Sequence, residues 1–115
     1  MNPYIRFLNL LLGISNLEKF PRMTPLSKLI FDQIALHEHK SKPLTVRELL
    51  EFKEIASSAT VHKHLSLLRS SGYVSAITDV NDKKTKYLVL APLGHSYTAF
   101  ISEAIEKAAG ASEAA

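Results

Sequence analysis

The sequence predicts a mainly α-helical fold with one small β-hairpin, and two observations support this prediction. Four segments before residue 72 place apolar residues at helical spacing, and a fifth such segment follows residue 91. Between them, YVSAIT and TKYLVLA read as strands, and the polar stretch DVNDKK that separates them reads as a turn. The expected order is therefore four helices, a hairpin and a last helix.

The bulk composition is that of a globular protein, with 115 residues, 46% of them apolar and 22% charged. We expect residues 1–115 to form a single domain with one core. The chain contains no cysteine, which excludes disulfides and thiol catalysis and fits a reducing, cytoplasmic setting. The apolar run from Ile5 to Ile14 is too short for a bilayer, which takes about 20 residues.

The first two helices are predicted over residues 4–17 and from Pro25 to about Lys40. The first is apolar on most sides, which indicates burial on more than one face and favours a dimer interface as much as a core. Thr24 can cap the second helix, and proline suits its first position. The inner face of the second helix is expected to consist of Leu26, Leu29, Ile30, Ile34 and His37.

The third and fourth helices together form a predicted helix-turn-helix over residues 45–71, because only about four residues separate them. Thr45 and Glu48 have capping-box spacing at the start of the third helix, which we expect to end near Lys53. Ser57 caps the fourth helix, and Gly72 stops it. The inward positions are Val46, Leu49 and Leu50 on the third helix and Val61, Leu65 and Leu68 on the fourth.

The hairpin over residues 73–91 follows the fourth helix at once, and this arrangement predicts a winged helix. The last helix is predicted over residues 92–109, with Pro92 in its first turn. Residues 19–86 hold twelve Lys and Arg against seven Asp and Glu, whereas residues 1–18 are neutral and residues 87–115 carry −2. A basic middle of the chain favours a polyanionic partner.

In a helix-turn-helix the second helix enters the DNA major groove, and its first residues reach the base edges. Ser and Thr can donate or accept there, while His62 and Lys63 can donate to guanine. Lysines at the hairpin tip can neutralise phosphates or approach the minor groove. His64 lies nearer the apolar side and is expected to be partly buried or on a phosphate. The candidate DNA-binding residues are Ser57, Ser58, Thr60, His62, Lys63, Ser66, Lys83, Lys84 and Lys86.

The segment from Leu44 to about Gly94 resembles the MarR-type winged-helix transcription regulators of bacteria. The resemblance rests on LTVRELLEF, SSATVHKHLSLLRSSGYV and DVNDKKTKYLVLAPLG. ArsR-type regulators share the TVHKHLSLLRSSGYV pattern, but the wing signature Asp82-Lys83-Lys84 followed by TKYLVL and APLG favours the MarR type. Two departures stand out: Lys83 and Lys84 replace the family's usual arginines, and Ala91 replaces its usual threonine cap.

The resemblance implies a winged helix-turn-helix with N- and C-terminal dimerisation helices, formed by residues 4–17 and 92–109. It implies a homodimer that binds a pseudo-palindromic site in double-stranded DNA, most often as a repressor. It also implies a small aromatic effector, for which Phe20, Phe31, Tyr97 and Phe100 are candidates, although they fit a plain core as well. The implied dimerisation residues are Tyr4, Phe7, Leu8, Leu11, Leu12, Phe100, Ile101 and Ile105.

Three other functions compete with DNA binding as interpretations of the sequence. The sequence has no Gly-rich phosphate loop and no nucleophile motif, so we expect no enzyme and no cofactor. The pairs His37/His39 and His62/His64 diverge on a helix and cannot share a metal. An ArsR-like metal sensor that draws histidines from different helices stays open, as does a winged helix that binds only protein. DNA binding without an effector also stays open.

Overall fold

The structure, a computed structural model, describes residues 2–15 and 17–114, with side chains at 2–14 and 17–110. Its order of elements confirms the predicted fold class. The elements are α1 (Pro3–Ser15), α2 (Pro25–His39), α3 (Val46–Leu50), α4 (Ser58–Ser70), β1 (Val74–Thr78), β2 (Lys86–Leu90) and α5 (Pro92–Ala114). Within the described residues, no helix has the length and apolar character needed to cross a bilayer.

The chain divides into two compact units. The winged unit is Met23–Gly94 and contains α2, α3, α4 and both strands. The terminal unit consists of Met1–Arg22 and His95–Ala115, and so contains α1 and most of α5.

Helix α2 begins as predicted and buries the predicted Ile30 and Ile34, but the rest of its inner face differs from the prediction. Thr24 is its N-cap, and the Thr24 Oγ1 accepts the Ser27 N–H at 3.0 Å. The buried positions are Ser27, Ile30, Phe31 and Ile34. Leu29, expected on the inner face, is 54% exposed. The stripe is centred on Phe31 because its ring packs edge-to-face on Tyr73, with the ring centroids 5.8 Å apart.

Helix α3 has the predicted capping box and ends earlier than predicted. The Thr45 Oγ1 accepts the Glu48 N–H at 3.1 Å, and the Glu48 carboxylate accepts the Thr45 N–H at 2.9 Å. The helix ends at Leu50 rather than near Lys53. The chain tightens there because the Glu51 N–H bonds the Glu48 carbonyl three residues back, at 3.2 Å.

The wing is an antiparallel pair in which Val74 lies opposite Leu90 and Thr78 opposite Lys86. The other side of β2 is also occupied. The Leu88 N–H donates to the Leu44 carbonyl at 2.7 Å, and the Leu90 N–H donates to the Glu38 carboxylate at 2.9 Å. Strand β2 is therefore held on both sides, whereas β1 lies at the edge of the sheet.

Two glycines shape the winged unit around α4 and β1. Gly72 ends α4 with φ +89°, in the left-handed region that favours glycine. Gly94 permits a close approach of chains: a Cβ at this position would lie 2.3 Å from the Tyr73 carbonyl oxygen and 3.3 Å from Phe31. The glycine of the APLG segment is thus required by packing in this unit.

The terminal unit is built on an aromatic cluster. Phe20 packs edge-to-face on Tyr97 and on Phe100, at centroid distances of 5.6 and 5.1 Å, and the Lys19 ammonium lies 3.8 Å from the Phe100 ring centroid. Helix α1 ends at Ser15, two residues before the predicted end. Helix α5 continues five residues past the predicted Ala109, because alanine favours helix strongly enough to extend it across Gly110.

Candidate nucleic-acid interface

Helix α4 presents one apolar and one polar face, as its sequence predicted. Val61, Leu65 and Leu68 are buried against the rest of the winged unit. His62, Lys63 and Ser66 are exposed. The polar face therefore offers donors that a major-groove partner could accept, free of any role in the core.

The first turn of α4 uses its hydroxyls to hold the helix in place. The Ser57 Oγ accepts the Thr60 N–H at 3.3 Å and donates to the Thr60 Oγ1 at 3.0 Å. The Ser58 hydroxyl donates to the Leu50 carbonyl at 2.9 Å, which fixes the end of α3 against the start of α4. Ser57 and Thr60 thus cap α4 locally, Ser58 alone links α4 to α3, and the contact of these three side chains with DNA stays a prediction.

His64 is half-buried and joins α4 to the start of α2. Its Nδ1 lies 3.2 Å from the Thr24 Oγ1 and 3.1 Å from the buried Ser27 Oγ. The sequence placed this histidine near the apolar side without identifying these partners. The ring therefore links α4 to the start of α2 within the winged unit.

The wing tip is ordered by two aspartates. The Asp79 carboxylate accepts the N–H groups of Asn81 and Asp82, both at 2.9 Å. The Asp82 carboxylate accepts the Lys84 N–H at 3.0 Å and the Thr85 hydroxyl at 2.8 Å. These bonds lower the pKa of Asp82, the one from Thr85 contributing most. The two aspartates of this turn thus accept hydrogen bonds from backbone N–H groups, as in Asx-type turns.

The lysines of the wing are left to solvent. Lys83, Lys84 and Lys86 are exposed. The ion pairs of the described residues are Lys28–Asp32 and Lys107–Glu103, so no wing lysine is paired with a carboxylate. Val80 at the same tip is 95% exposed. The tip therefore combines three unpaired cations with one protruding apolar side chain.

A feature missed by the sequence reasoning is a shallow notch, largely open to solvent, between the end of α4 and β1. Its volume is about 510 Å³, and its lining residues are Ser66, Arg69, Ser70, Val74, Ser75 and Ala76. The available signal was the spacing of His62, Ser66 and Arg69, which places them along one helical face. This notch lies in the same unit as the wing lysines.

The four candidate effector residues do not form one group within a unit. Phe31 is buried in the winged unit, while Phe20, Tyr97 and Phe100 belong to the aromatic cluster of the terminal unit. In the terminal unit, a cavity of about 320 Å³ lies between α1 and α5. It is lined mainly by apolar residues, including Leu10, Ile14, Leu17, Phe100 and Ala104.

No three histidine, aspartate or glutamate side chains of the described part of the chain come together as a metal site would require.

Comparison with solved structures finds the same fold in other proteins. No protein-family model matches the chain, and no curated protein sequence does. The transcriptional regulator Tm0710 from Thermotoga maritima matches with a TM-score of 0.62 and 19% identity, over 91% of this chain and 66% of that chain. MarR matches with a TM-score of 0.56 and 20% identity, over 89% and 66%.

Two structures of S. aureus MepR also match. The protein bound to ethidium bromide gives a TM-score of 0.64 and 16% identity, over 91% of this chain and 68% of that chain. A mutant bound to an oligodeoxyribonucleotide gives a TM-score of 0.62 and 14% identity, over 91% of this chain and 69% of that chain. Across eight matched structures, this chain spans between 54% and 69% of the other protein's length. The likeness confirms the winged-helix fold of MarR-type regulators.

Proposed function

We propose that this chain binds double-stranded DNA sequence-specifically as a homodimer and regulates transcription, acting as a repressor. One observation supports this most: the polar face of α4 and the unpaired lysines of the wing are both exposed on the winged unit. Sequence would be read by α4, and general affinity would come from the wing. The fold shared with a MepR mutant bound to an oligodeoxyribonucleotide adds to this support.

In the proposed complex α4 lies in the major groove. Lys63 and His62 donate to guanine N7 or O6, which are acceptors on the groove floor. Ser66, one turn later, donates to or accepts from a base or a phosphate. Ser57 and Thr60 cap the start of α4 and Ser58 links it to α3, and the remaining lone pairs of these hydroxyls accept from the DNA bases.

The wing in this proposal supplies the sequence-independent part of the affinity. Each lysine that neutralises a phosphate releases counterions, which is favourable at low salt. Lys83 and Lys84 act as point charges, because lysine lacks the planar fork with which arginine fits a narrow minor groove. We therefore expect the wing to contribute more to affinity than to base choice.

The homodimer is proposed to form through the terminal helices. None of the implied dimerisation residues on α1 and α5 is fully buried in the single chain, and Tyr4 and Leu12 are 66% and 64% exposed. Two helices alone bury little apolar surface, so a second copy would complete their core. A dimer would set two α4 helices about 34 Å apart, which is one turn of DNA.

A small planar aromatic effector is part of the proposal. The ethidium-bound MepR shows that a protein of this fold can hold such a compound. In this chain the mainly apolar cavity between α1 and α5 is the candidate site. Titration of the DNA-free protein with ethidium, followed by the dye's fluorescence, tests it: saturable enhancement supports the site, and its absence argues for regulation without this class of effector.

The proposed function is tested by fluorescence anisotropy of the purified protein with a labelled mixed-sequence duplex over a series of salt concentrations. Binding at low salt, with log K falling steeply against log salt, supports DNA binding. Absence of binding even at low salt overturns it and directs the search to protein partners. After an operator has been selected, two variants separate the roles of α4 and the wing.

The first variant, Lys63→Ala, should weaken operator binding and relax base preference by about 1–3 kcal/mol at the contacted position. The second, Lys83→Ala, should weaken all duplexes alike and reduce the salt slope by about 1. An operator affinity of Lys63→Ala equal to that of the unmodified protein would contradict the assignment of α4 as the recognition helix.

A further inference from the structure

The notch between α4 and β1 has the chemistry of an anion site. Arg69 lies in the last turn of α4 and is exposed. The ion pairs of the described residues do not include it. Ser66 and Ser75 are exposed beside it, whereas the Ser70 hydroxyl is used internally, because it donates to the Leu67 carbonyl at 3.1 Å. The notch thus offers one guanidinium and two hydroxyls.

The edge of β1 adds backbone donors to the same notch. The Ala91 N–H donates to the Tyr73 carbonyl at 3.0 Å, and the Asp79 N–H donates to the Thr85 carbonyl at 2.9 Å. In an antiparallel pair the hydrogen-bonded positions alternate along each strand. The backbone N–H and C=O groups of the odd-numbered residues of β1 therefore point toward β2. The N–H groups of Val74, Ala76 and Thr78 therefore point to the open edge, and the first two line the notch.

The register of β2 confirms this alternation independently. Leu88 and Leu90 are the partners of Ala76 and Val74. Their N–H groups point away from β1 and bond to Leu44 and Glu38. The N–H groups of the opposite residues on β1 must point the other way. Ala76 thus presents a backbone donor next to Arg69.

We propose that this notch holds one backbone phosphate of the bound duplex, with Arg69 and the Ala76 N–H as its principal donors and Ser66 and Ser75 as further donors. The inference rests on the proposed function, since it deepens the same DNA interface. A phosphodiester has the right chemistry because arginine pairs bidentately with phosphate oxygens, and backbone N–H groups and serines are common phosphate donors.

The position of the notch also favours a phosphate over a base. It lies between the C-terminal half of α4 and the first strand of the wing. If α4 occupies the major groove and the wing reaches toward the neighbouring minor groove, the strand that separates the two grooves runs between them. The notch would hold that strand and fix the angle at which α4 enters the groove.

The test compares Arg69→Ala, Arg69→Lys and the matched control Arg22→Ala, which removes the same charge from the terminal unit. Each is titrated with the mixed-sequence duplex at several salt concentrations. Arg69→Ala is expected to reduce the salt slope by about 0.9, the value for one lost phosphate contact. Arg69→Lys should keep the slope and bind more weakly at fixed salt. Arg22→Ala should match the unmodified protein.

The outcomes separate this inference from the proposed function. If the unmodified protein binds DNA and Arg69→Ala retains its slope, the phosphate site is wrong while DNA binding stands. If the unmodified protein does not bind, both fail. Thermal unfolding of each variant shows whether the helix is intact, because a cation in the last turn of α4 also stabilises the helix.

A second pair of variants tests the backbone donor without changing any charge. Proline is tolerated on edge strands where its missing N–H would have faced outward. Ala76→Pro removes the donor inside the notch, and Thr78→Pro removes the equivalent donor beyond it. We expect Ala76→Pro alone to weaken duplex binding, by about tenfold, with an unchanged salt slope. Equal affinities of the two folded variants would exclude the Ala76 N–H from the site.

Discussion

The two compact units differ in how completely they bury their side chains. Among the described residues, the largest fully buried side chains all belong to the winged unit and are Tyr73, Phe31, Ile30, Ile34, Leu49, Leu68, Leu88 and Val61. Both units also leave large apolar side chains more than half exposed: Tyr4, Leu12 and Ile105 in the terminal unit, and Leu29, Leu36, Ile77 and Val80 in the winged unit. The difference therefore lies in the core: a single copy of the winged unit has fully buried large side chains, whereas these are lacking among the described residues of the terminal unit, which is the unit that we propose to dimerise.

The largest loss of stability is expected from a substitution at Gly94, where two segments of the winged unit approach most closely. Gly94→Ala places a methyl group 2.3 Å from the Tyr73 carbonyl oxygen, and we expect a loss of about 3 kcal/mol in the free energy of unfolding. Urea denaturation measures this loss. Gly110→Ala is the control, because a Cβ there meets nothing within 4 Å. Equal stability of the two variants would show that the close approach at Gly94 is not required.

The next largest effect is expected on dimerisation through the terminal unit. Leu12→Lys puts a charge on the exposed face of α1. We expect the free energy of dimerisation to weaken by about 2 kcal/mol for the Leu12 of each copy that the dimer would bury. Sedimentation equilibrium measures the association. Ile77→Lys is the matched control, since Ile77 is 54% exposed on β1 in the winged unit. A dimer that survives Leu12→Lys but not Ile77→Lys would show that the interface lies in the winged unit and that the proposed interface is wrong.

A smaller effect is expected at the start of α3. Thr45→Ala removes the hydroxyl that accepts the Glu48 N–H, and loss of an N-cap costs about 1 kcal/mol. The free energy of unfolding should fall by this amount, independently of protein concentration, because the cap belongs to the winged unit. A concentration-dependent loss would mean that the winged unit too is completed by a partner.

The smallest effect concerns the wing tip and pH. The pKa of Asp82 is lowered by its bonds to Thr85 and Lys84, so the ionised carboxylate stabilises the turn. That contribution is complete above the pKa of the unfolded chain and is lost as the pH falls through the lowered value. The amide chemical shift of Lys84, followed by NMR, should therefore titrate below the usual range of an aspartate. In Asp82→Asn this titration should vanish.

Local signals predicted the elements well, because caps and stops depend on neighbouring residues. Thr24, the Thr45 and Glu48 pair, Ser57 and Gly72 all act where the sequence placed them. The end of α3 was predicted less well, since Leu50 is followed by no glycine or proline to mark the stop.

Features that join distant residues were beyond the sequence. The buried stripe of α2 is set by the contact of Phe31 with Tyr73, which lies 42 positions later and whose place depends on the hairpin. The notch likewise requires the end of α4 to meet the edge of β1. Lys63 and the wing lysines could be named from the helix-turn-helix pattern. Helical spacing also puts Arg69 on the face of Ser66, but only the position of β1 shows that this face lines a notch.

The open edge of β1 has a consequence for the behaviour of the protein in concentrated solution. An outward row of N–H groups is where a stray strand can add and begin aggregation. The edge is only five residues long, so the folded protein offers such a strand few bonds. A destabilised variant such as Gly94→Ala is expected to aggregate, because its unfolded apolar segments can pair with this edge. The turbidity of its solution should then rise more slowly when a polyanion such as heparin is bound in the proposed phosphate site.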